Sequence, residues 1–131
     1  MSAESDRPGN AQQGSSPRAV GPYTPVVRAG EWLVCSGQLG LKDGALVEGG
    51  VSAQVAQAVE NLGALLAGEG ADLQSVVKTT VFLADIADYQ AMNDAYMHAF
   101  SHHRPARSAF AVAALPLGAA VEIEAWAHLG P

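Results

Sequence analysis

The alternation of side chains along residues 121–127 constrains the fold of this chain more than any other feature of its sequence. If this segment is extended, Glu122, Glu124 and Trp126 share one side of it. The residues on the other side are all apolar: Val121, Ile123, Ala125 and Ala127. Such alternation is typical of a strand with one face against a core, so the chain is predicted to build a sheet on which a core packs.

Two further parts of the sequence predict strands. Residues 75–84 are the most β-prone stretch, and their apolar and threonine side chains predict a central strand covered on both faces. One side of this strand is expected to carry Val77, Thr79, Val81 and Leu83, and the other side Val76, Thr80 and Phe82. Residues 25–28 and 31–36 flank Ala29-Gly30, where glycine can supply a positive φ, and therefore predict an opening hairpin.

Two segments repeat apolar residues at helical spacing. Ser52 is the expected N-cap of the first helix, and Gly68 or Gly70 its expected end. Asp85 or Asp88 is expected to cap the second helix. The apolar stripes are Val55, Val59, Leu62, Leu65 and Leu66 in the first helix and Tyr89, Met92, Tyr96 and Phe100 in the second.

The resulting order, β-β-α-β-α-β-β, favours an α+β fold with one mixed sheet and both helices against one of its faces. The other face needs a cover, and another copy of the chain is the expected one. Residues 1–18 lack apolar periodicity and are predicted to be a flexible N-terminal tail. Residues 19–131 are predicted to form a single domain.

Composition narrows the possible functions. Of the 131 residues, 49% are hydrophobic and only 15% are charged, which suits one globular domain that associates with itself. The net charge is -6 and the 7 Lys and Arg form no basic run, which argues against nucleic acid as a partner. No apolar run is long enough to span a membrane and no targeting signal is visible, so a cytoplasmic protein is expected.

The candidate site centres on Arg107. Pro105 ends the preceding helix, and Arg107 then opens a run of small and apolar residues, where an unpaired buried cation would be costly. Arginine binds a planar carboxylate with two parallel hydrogen bonds, and a nearby carboxylate can act on a proton or a water. With Glu122 and Glu124 one connection away, these residues predict a site for a small carboxylic acid. The alternative is an exposed Arg–Glu pair without a function.

Other reactive side chains favour structural readings when they are taken alone. Cys35 is the only cysteine, which excludes an internal disulfide, and its apolar surroundings predict burial. His98, His102 and His103 have spacing compatible with a metal, but a solvated helix end is the alternative because the sequence fixes no further ligand. Ser36 lies outside any hydrolase motif.

Several segments occur in the order of one known family. They are Gly21-Pro22-Tyr23, Ser36-Gly37-Gln38, Val-Lys-Thr-Thr-Val-Phe at 77–82, Asn93 with Tyr96, Pro105-Ala106-Arg107-Ser108 and Val-Glu-Ile-Glu-Ala at 121–125. Through them the chain resembles the reactive intermediate deaminase family, also called RidA or YjgF, from about Ala19 to the C-terminus. The pairing of Pro-Ala-Arg-Ser with Glu-Ile-Glu-Ala is specific.

The resemblance implies a chorismate-mutase-like α+β fold and a homotrimer with clefts between subunits. It also implies an enzyme of the 2-iminobutanoate/2-iminopropanoate deaminase type. Such an enzyme hydrolyses reactive 2-imino or enamine acids, such as 2-aminoacrylate, to 2-keto acids and ammonia without cofactor or metal. The alternative is a non-catalytic, ligand-binding or chaperone-like member of the same family.

The resemblance also implies roles for particular residues. By motif position, Arg107 is similar to the arginine that holds the substrate carboxylate, and Glu122 to the glutamate that positions the attacking water. Three further residues fall on positions that line the cleft: Tyr23, Ser36 and Asn93. Ala109 departs from several members, which carry a cysteine there, and this departure implies a pocket that accepts different side chains.

Overall fold

A five-stranded mixed sheet is the centre of the computed structural model, which describes residue 19 and residues 21–130. The elements are β1 (Val26–Ala29), β2 (Trp32–Leu39), β3 (Leu41–Lys42), β4 (Ala45–Leu46), α1 (Gly50–Gly68), β5 (Val76–Leu83), α2 (Tyr89–Phe100), β6 (Ala106–Ala111) and β7 (Val121–His128). The strand order is β1-β2-β7-β5-β6; β5 and β6 pair in parallel and the other pairs are antiparallel.

This architecture confirms the predicted α+β class and the opening hairpin, and it adds one element. The turn after β3 carries positive φ angles at Asp43 and Gly44, and it joins β3 to β4 in a separate two-stranded hairpin. The predicted tail, residues 1–18, lies outside the described residues. Within the part of the chain that the structure describes, neither helix is long and apolar enough to cross a membrane.

Both helices pack against one face of the sheet, as the sequence predicts. Leu62 and Leu66 of α1 and Met92 of α2 are fully buried there. The apolar side of β7 lies beneath them and is also fully buried, at Val121, Ile123, Ala125 and Ala127. The alternation along β7 therefore predicted the orientation of this strand correctly.

A bulge in β5 changes the predicted sides of that strand. The pairing of β5 with β7 is irregular between Val76 and Lys78, so Val76 rather than Val77 shares the buried side with Thr79. Val77 is exposed. The expectation of cover on both faces is wrong for a single chain, because the residues of the other side are only partly buried: Lys78, Thr80 and Phe82.

The helix ends follow the predictions in part. Helix α1 begins at Gly50, one position after Gly49, whose φ of 116° only glycine adopts readily. Ser52 as N-cap is therefore wrong, because the left-handed glycines turn the chain into the helix before Ser52 is reached. The end at Gly68 is confirmed. Asp85 accepts a hydrogen bond from the backbone two residues on, at 2.9 Å, and caps the short 3-10 turn that leads into α2.

The sheet face opposite the helices carries aromatic side chains. Trp32 and Trp126 form an edge-to-face pair with ring centroids 6.2 Å apart, and Phe82 and Phe110 form another at 5.5 Å. Trp126 and Phe110 are each 46% exposed. We call this the open face of the sheet. An apolar surface of this kind is typical of one that another protein covers.

Candidate active site

Arg107 lies on the edge strand β6, on the sheet face that the helices cover. Its cross-strand neighbour is Thr79 of β5, which is fully buried on that face. The guanidinium carbon lies 4.9 Å from the ring centroid of Tyr96. Nη2 donates a hydrogen bond to the Tyr89 hydroxyl at 3.3 Å, and Nη1 donates to the Met92 sulfur at 3.5 Å. The cation thus rests on side chains of α2.

Tyr96 is fixed in position by a hydrogen bond and by a ring contact. Its hydroxyl is 2.7 Å from Oγ1 of Thr79 in a buried hydrogen bond, and its ring packs against Phe100 with centroids 4.7 Å apart. Burial raises the pKa of Tyr96, while the Thr79 hydrogen bond and the charge of Arg107 act in the opposite direction. The phenol therefore stays neutral near neutral pH, and its ring offers the face on which a guanidinium stacks.

Asn93 lies on the same helix, between Met92 and Tyr96. Its side-chain Oδ1 is buried, and among the residues that the structure describes it has no hydrogen-bond partner. A buried acceptor without a donor costs about 1–3 kcal/mol. This oxygen is therefore suited to accept a hydrogen bond from an N–H or O–H group of a ligand.

Glu122 lies on β7 and points toward the open face, where it pairs in register with Phe82 of β5 and Leu39 of β2. Its carboxylate lies over Gly37, so close that an added Cβ on Gly37 would be 2.3 Å from Oε2. Burial, and to a lesser extent the charge of Glu124, raise the pKa of Glu122. A carboxylate with a raised pKa is a stronger general base than an ordinary one.

Ser36 ties the segment before β1 to this part of the sheet. It lies where the pairing of β2 with β7 is irregular. Its Oγ donates to the Thr24 carbonyl at 2.7 Å and its N–H to the Pro25 carbonyl at 2.8 Å. Tyr23, next to Thr24, is 43% exposed. The hydrogen bond engages the Ser36 hydroxyl, which suits a residue that positions the Tyr23 segment better than a nucleophile.

In a single chain the predicted site residues form two groups. The first consists of Arg107 on β6 and Asn93 on α2, the helix that Arg107 contacts. The second lies on β2, β7 and the segment before β1 and consists of Tyr23, Ser36 and Glu122.

Arg107 and Glu122 flank β5 at Thr79 and Phe82, three residues apart along that strand. The Cα atoms of Arg107 and Glu122 are separated by two inter-strand spacings across the sheet and by the rise of three residues along it, which together give about 14 Å. Their side chains point to opposite faces of the sheet. One chain therefore does not bring Arg107 and Glu122 together, either as a site or as the alternative exposed ion pair.

The other reactive side chains have structural surroundings. Nε2 of His103 is 2.7 Å from the Val76 carbonyl oxygen. Across residue 19 and residues 21–130, no group of three or more His, Cys, Asp or Glu side chains is placed to hold a metal ion. Cys35 is buried, as predicted, and burial raises the pKa of its thiol to about 12, with a smaller contribution from Glu69. The thiol therefore stays protonated near neutral pH.

The side chains that surround Arg107 were not predicted from the sequence. Helical spacing assigns Tyr89 and Met92 to the core, but Tyr89 is 40% exposed and both contact Arg107. They precede Arg107 by 18 and 15 residues, so no local spacing connects them with it. Gly37 stands in one of the family motifs, yet only the structure gives the reason, which is the carboxylate above it.

Comparison with known proteins identifies the family. The family model described as Endoribonuclease L-PSP matches residues 13–129. The 2-iminobutanoate/2-iminopropanoate deaminase of Homo sapiens is 46% identical over 118 residues, which cover 88% of this chain and 86% of the human protein. The protein of the same name from Bos taurus is 48% identical over the same shares of the two chains.

Solved structures agree with this similarity. The crystal structure of Escherichia coli TdcF with bound serine superposes with a TM-score of 0.82 at 32% identity, covering 88% of this chain and 94% of that one. RidA from an Antarctic Psychrobacter species gives a TM-score of 0.84 at 39% identity, covering 89% and 96%. The chain therefore belongs to the family that its motifs resemble, the reactive intermediate deaminase or RidA/YjgF family.

Proposed function

We propose that this protein is a hydrolase that deaminates reactive 2-imino and enamine acids, such as 2-aminoacrylate, to 2-keto acids and ammonia. The observation that carries the proposal is its identity of 46–48% over 118 residues with 2-iminobutanoate/2-iminopropanoate deaminases of several mammals. The family name Endoribonuclease L-PSP implies an RNA substrate, but a net charge of -6 does not favour binding to RNA.

Arg107 supplies the binding part of the reaction. In the described residues it forms no ion pair; its polar contacts are a phenol oxygen and a thioether sulfur. Both are weak partners compared with a carboxylate, which takes two charge-assisted hydrogen bonds from one guanidinium. A substrate carboxylate is therefore the partner that best satisfies Arg107, and the buried Oδ1 of Asn93 is available to a substrate N–H.

Glu122 supplies the chemical part. An enamine first gains a proton at its β-carbon and loses one from nitrogen, which gives the imine. Water, oriented by the Glu122 carboxylate, gives one proton to that carboxylate and forms a bond to the imine carbon; the C=N electron pair moves to nitrogen, which takes this proton. The hydroxyl proton of the resulting carbinolamine then passes to nitrogen, and ammonia leaves as the C–N bond breaks and the C=O bond forms. Positioning and proton transfer are sufficient for these steps, which need neither metal nor cofactor.

The proposal requires more than one copy of the chain. Because Arg107 and Glu122 point to opposite faces about 14 Å apart in one chain, they share a substrate only when each comes from a different subunit. We propose the homotrimer that the family resemblance implies, with the site in the cleft between subunits and lined by Tyr23, Ser36 and Asn93. The aromatic pairs of the open face support this assembly, since a second copy would bury them.

The test generates 2-iminobutanoate in the assay with an amino-acid oxidase and measures ammonia release above the spontaneous rate. Arg107→Lys keeps the charge but loses the planar fork, so both binding of 2-oxobutanoate and turnover should weaken. Glu122→Gln should still bind 2-oxobutanoate while deamination falls about 100-fold or more. A parent protein that binds 2-oxobutanoate without accelerating ammonia release would establish the non-catalytic alternative instead.

A further inference from the structure

We propose that Tyr89 is a positioning residue for Arg107: its hydroxyl fixes the rotation of the guanidinium on the ring of Tyr96 and so aims the hydrogen-bonding fork at the substrate carboxylate. This inference rests on the proposed function, in which Arg107 binds that carboxylate.

The contacts of Arg107 with α2 leave enough N–H donors for binding a substrate carboxylate. A guanidinium has five N–H donors. One on Nη2 goes to the Tyr89 hydroxyl and one on Nη1 goes to the Met92 sulfur. Three donors remain, and a carboxylate bound with two parallel hydrogen bonds takes two of them. The contacts with α2 therefore orient the cation without using up its capacity to bind an anion.

The ring beneath the cation is rigidly placed. Tyr96 is 6% exposed, and its hydroxyl bonds to Thr79 at 2.7 Å. Thr79 is also the residue opposite Arg107 in the pairing of β5 with β6. Tyr96 and Arg107 are thus anchored at the same level of the sheet, one through a side-chain hydrogen bond and the other through the backbone ladder. The height of the guanidinium above the ring, 4.9 Å from centroid to carbon, follows from these two anchors.

Stacking alone does not set the direction of the fork. The attraction between a cation and an aromatic ring depends mainly on their separation, so a guanidinium can turn within its own plane above the ring. A hydrogen bond to an oxygen atom at one end of the fork stops this rotation, whereas the Met92 sulfur, at 3.5 Å from Nη1, is only a weak acceptor. The Tyr89 hydroxyl makes that bond from the first turn of α2, where Tyr89 is 40% exposed and adds little to the core. Without it, the side chain of Arg107 loses more freedom when a ligand binds, which weakens binding.

The experiment compares the parent with Tyr89→Phe, which removes only the hydroxyl. Titration with 2-oxobutanoate gives Kd, and hydrolysis of 2-iminobutanoate gives KM and kcat. We expect Kd and KM to rise about threefold to tenfold, the range of one hydrogen bond, and kcat to change less than about twofold, because the carboxylate is bound alike in the ground and transition states. The melting temperature should not change, since the hydroxyl lies at the surface.

Two comparisons make the result specific. Gln90→Ala removes a neighbouring exposed hydrogen bond of the same helix, from Gln90 to Asp94 at 3.0 Å, and should leave Kd unchanged. In an Arg107→Lys background, Tyr89→Phe should change Kd less than about twofold, because there is no planar fork left to aim. A merely structural role of Tyr89 would give the same loss in both backgrounds.

The outcomes separate this inference from the function on which it rests. A Tyr89→Phe protein that binds like the parent, beside a weakened Arg107→Lys, would overturn the inference alone. An Arg107→Lys protein that binds 2-oxobutanoate like the parent would overturn both. Failure of the parent to release ammonia, together with Tyr89-dependent binding of 2-oxobutanoate, would overturn the function and support the inference.

Discussion

Replacing Gly37 by alanine should disable the enzyme while leaving its fold intact. The added Cβ would lie 2.3 Å from Oε2, 2.8 Å from Cδ and 2.9 Å from Cγ of Glu122. All three atoms belong to the outer part of a flexible side chain, so the side chain of Glu122 turns away and the backbone stays in place. Gly37 is not one of the glycines with a positive φ, and alanine therefore fits the backbone at this position.

The size of both effects follows from these distances. Ordinary contact begins at 3.4 Å, so Oε2 of Glu122 must retreat by about 1 Å from a Cβ that would lie at 2.3 Å. A displacement of this size at a reacting group lowers the rate by about 100-fold. A strained rotamer of Glu122 costs about 0.5–1.5 kcal/mol, and alanine stabilises by about 0.4–1 kcal/mol through the unfolded chain. The free energy of unfolding should therefore change by less than about 1 kcal/mol.

Two other glycines provide matched controls. An added Cβ on Gly63, in α1, would be 3.7 Å from the nearest atom, in Leu73, so Gly63→Ala should keep full activity and gain about 0.5–1 kcal/mol of stability. An added Cβ on Gly40 would be 2.6 Å from the Cα of Gln54, and backbone cannot yield as a side chain does. Gly40→Ala should therefore lose stability and activity together. Urea unfolding and kcat/KM for imine hydrolysis measure the two quantities.

Full activity of Gly37→Ala would refute the reasoning, because it would mean that the observed position of the Glu122 carboxylate is unnecessary. The double variant sharpens the test. If alanine at 37 acts by displacing Glu122, adding it to Glu122→Gln should cost little more, since both changes remove the same interaction. A further 100-fold loss in the double variant would show that Gly37 has a separate role.

Three further predictions concern pH and assembly. Because burial raises the pKa of Glu122 above its ordinary value of 4.5, the acid limb of kcat, which reports the substrate-bound enzyme, should lie above pH 4.5. That limb should vanish in Glu122→Gln and move to lower pH in Glu124→Gln, as pH–rate profiles would show. A raised carboxyl pKa also means that ionisation destabilises the folded chain, so Glu122→Gln should raise the free energy of unfolding near neutral pH and not below the limb. Trp126→Lys on the open face should lower the mass measured by light scattering and abolish turnover; an unchanged trimer with full activity would contradict the proposed packing.

Patterns with a strong local cause were predicted correctly from the sequence. A period of two over residues 121–127 fixes which side of β7 is buried, and helical spacing selects Met92, Tyr96 and Phe100 as core residues. Tyr89 departs from the helical pattern of buried residues in α2. It lies at the start of the helix, where it contacts Arg107 of the edge strand instead of packing in the core.

Features that depend on tertiary contacts were not predicted. The bulge in β5 exchanges Val76 and Val77, two identical side chains whose orientation only the pairing with β7 decides. The cap preference of Ser52 is worth about 1 kcal/mol, which is too little to override a chain that already turns at Gly49 and Gly50.

Candidate site residues could be proposed from the sequence, but their arrangement in the fold could not. Two features are visible locally: an arginine two residues after Pro105 that opens a run of small and apolar residues, and a carboxylate in an alternating strand. The family motifs connect the two. The side on which Arg107 points is not visible, because its neighbours in β6 are small or apolar on both sides and give no alternation. Only the pairing with Thr79 turns Arg107 toward the helices and away from the face that carries Glu122.

The separation of Arg107 from Glu122 within one chain also suits the chemistry. An arginine within about 4–6 Å of a carboxylate lowers the pKa of that carboxyl by roughly 1–3 units and occupies its own donors. In such a pair the arginine would bind a substrate carboxylate weakly, and the carboxylate would accept a proton weakly. Here burial raises the pKa of Glu122, and within one chain Arg107 does not oppose that shift because the sheet holds the two residues on opposite faces; Arg107 in turn keeps free donors. If two subunits bring them to one cleft, the substrate carboxylate would neutralise Arg107 first, and Glu122 would remain basic enough to act on water.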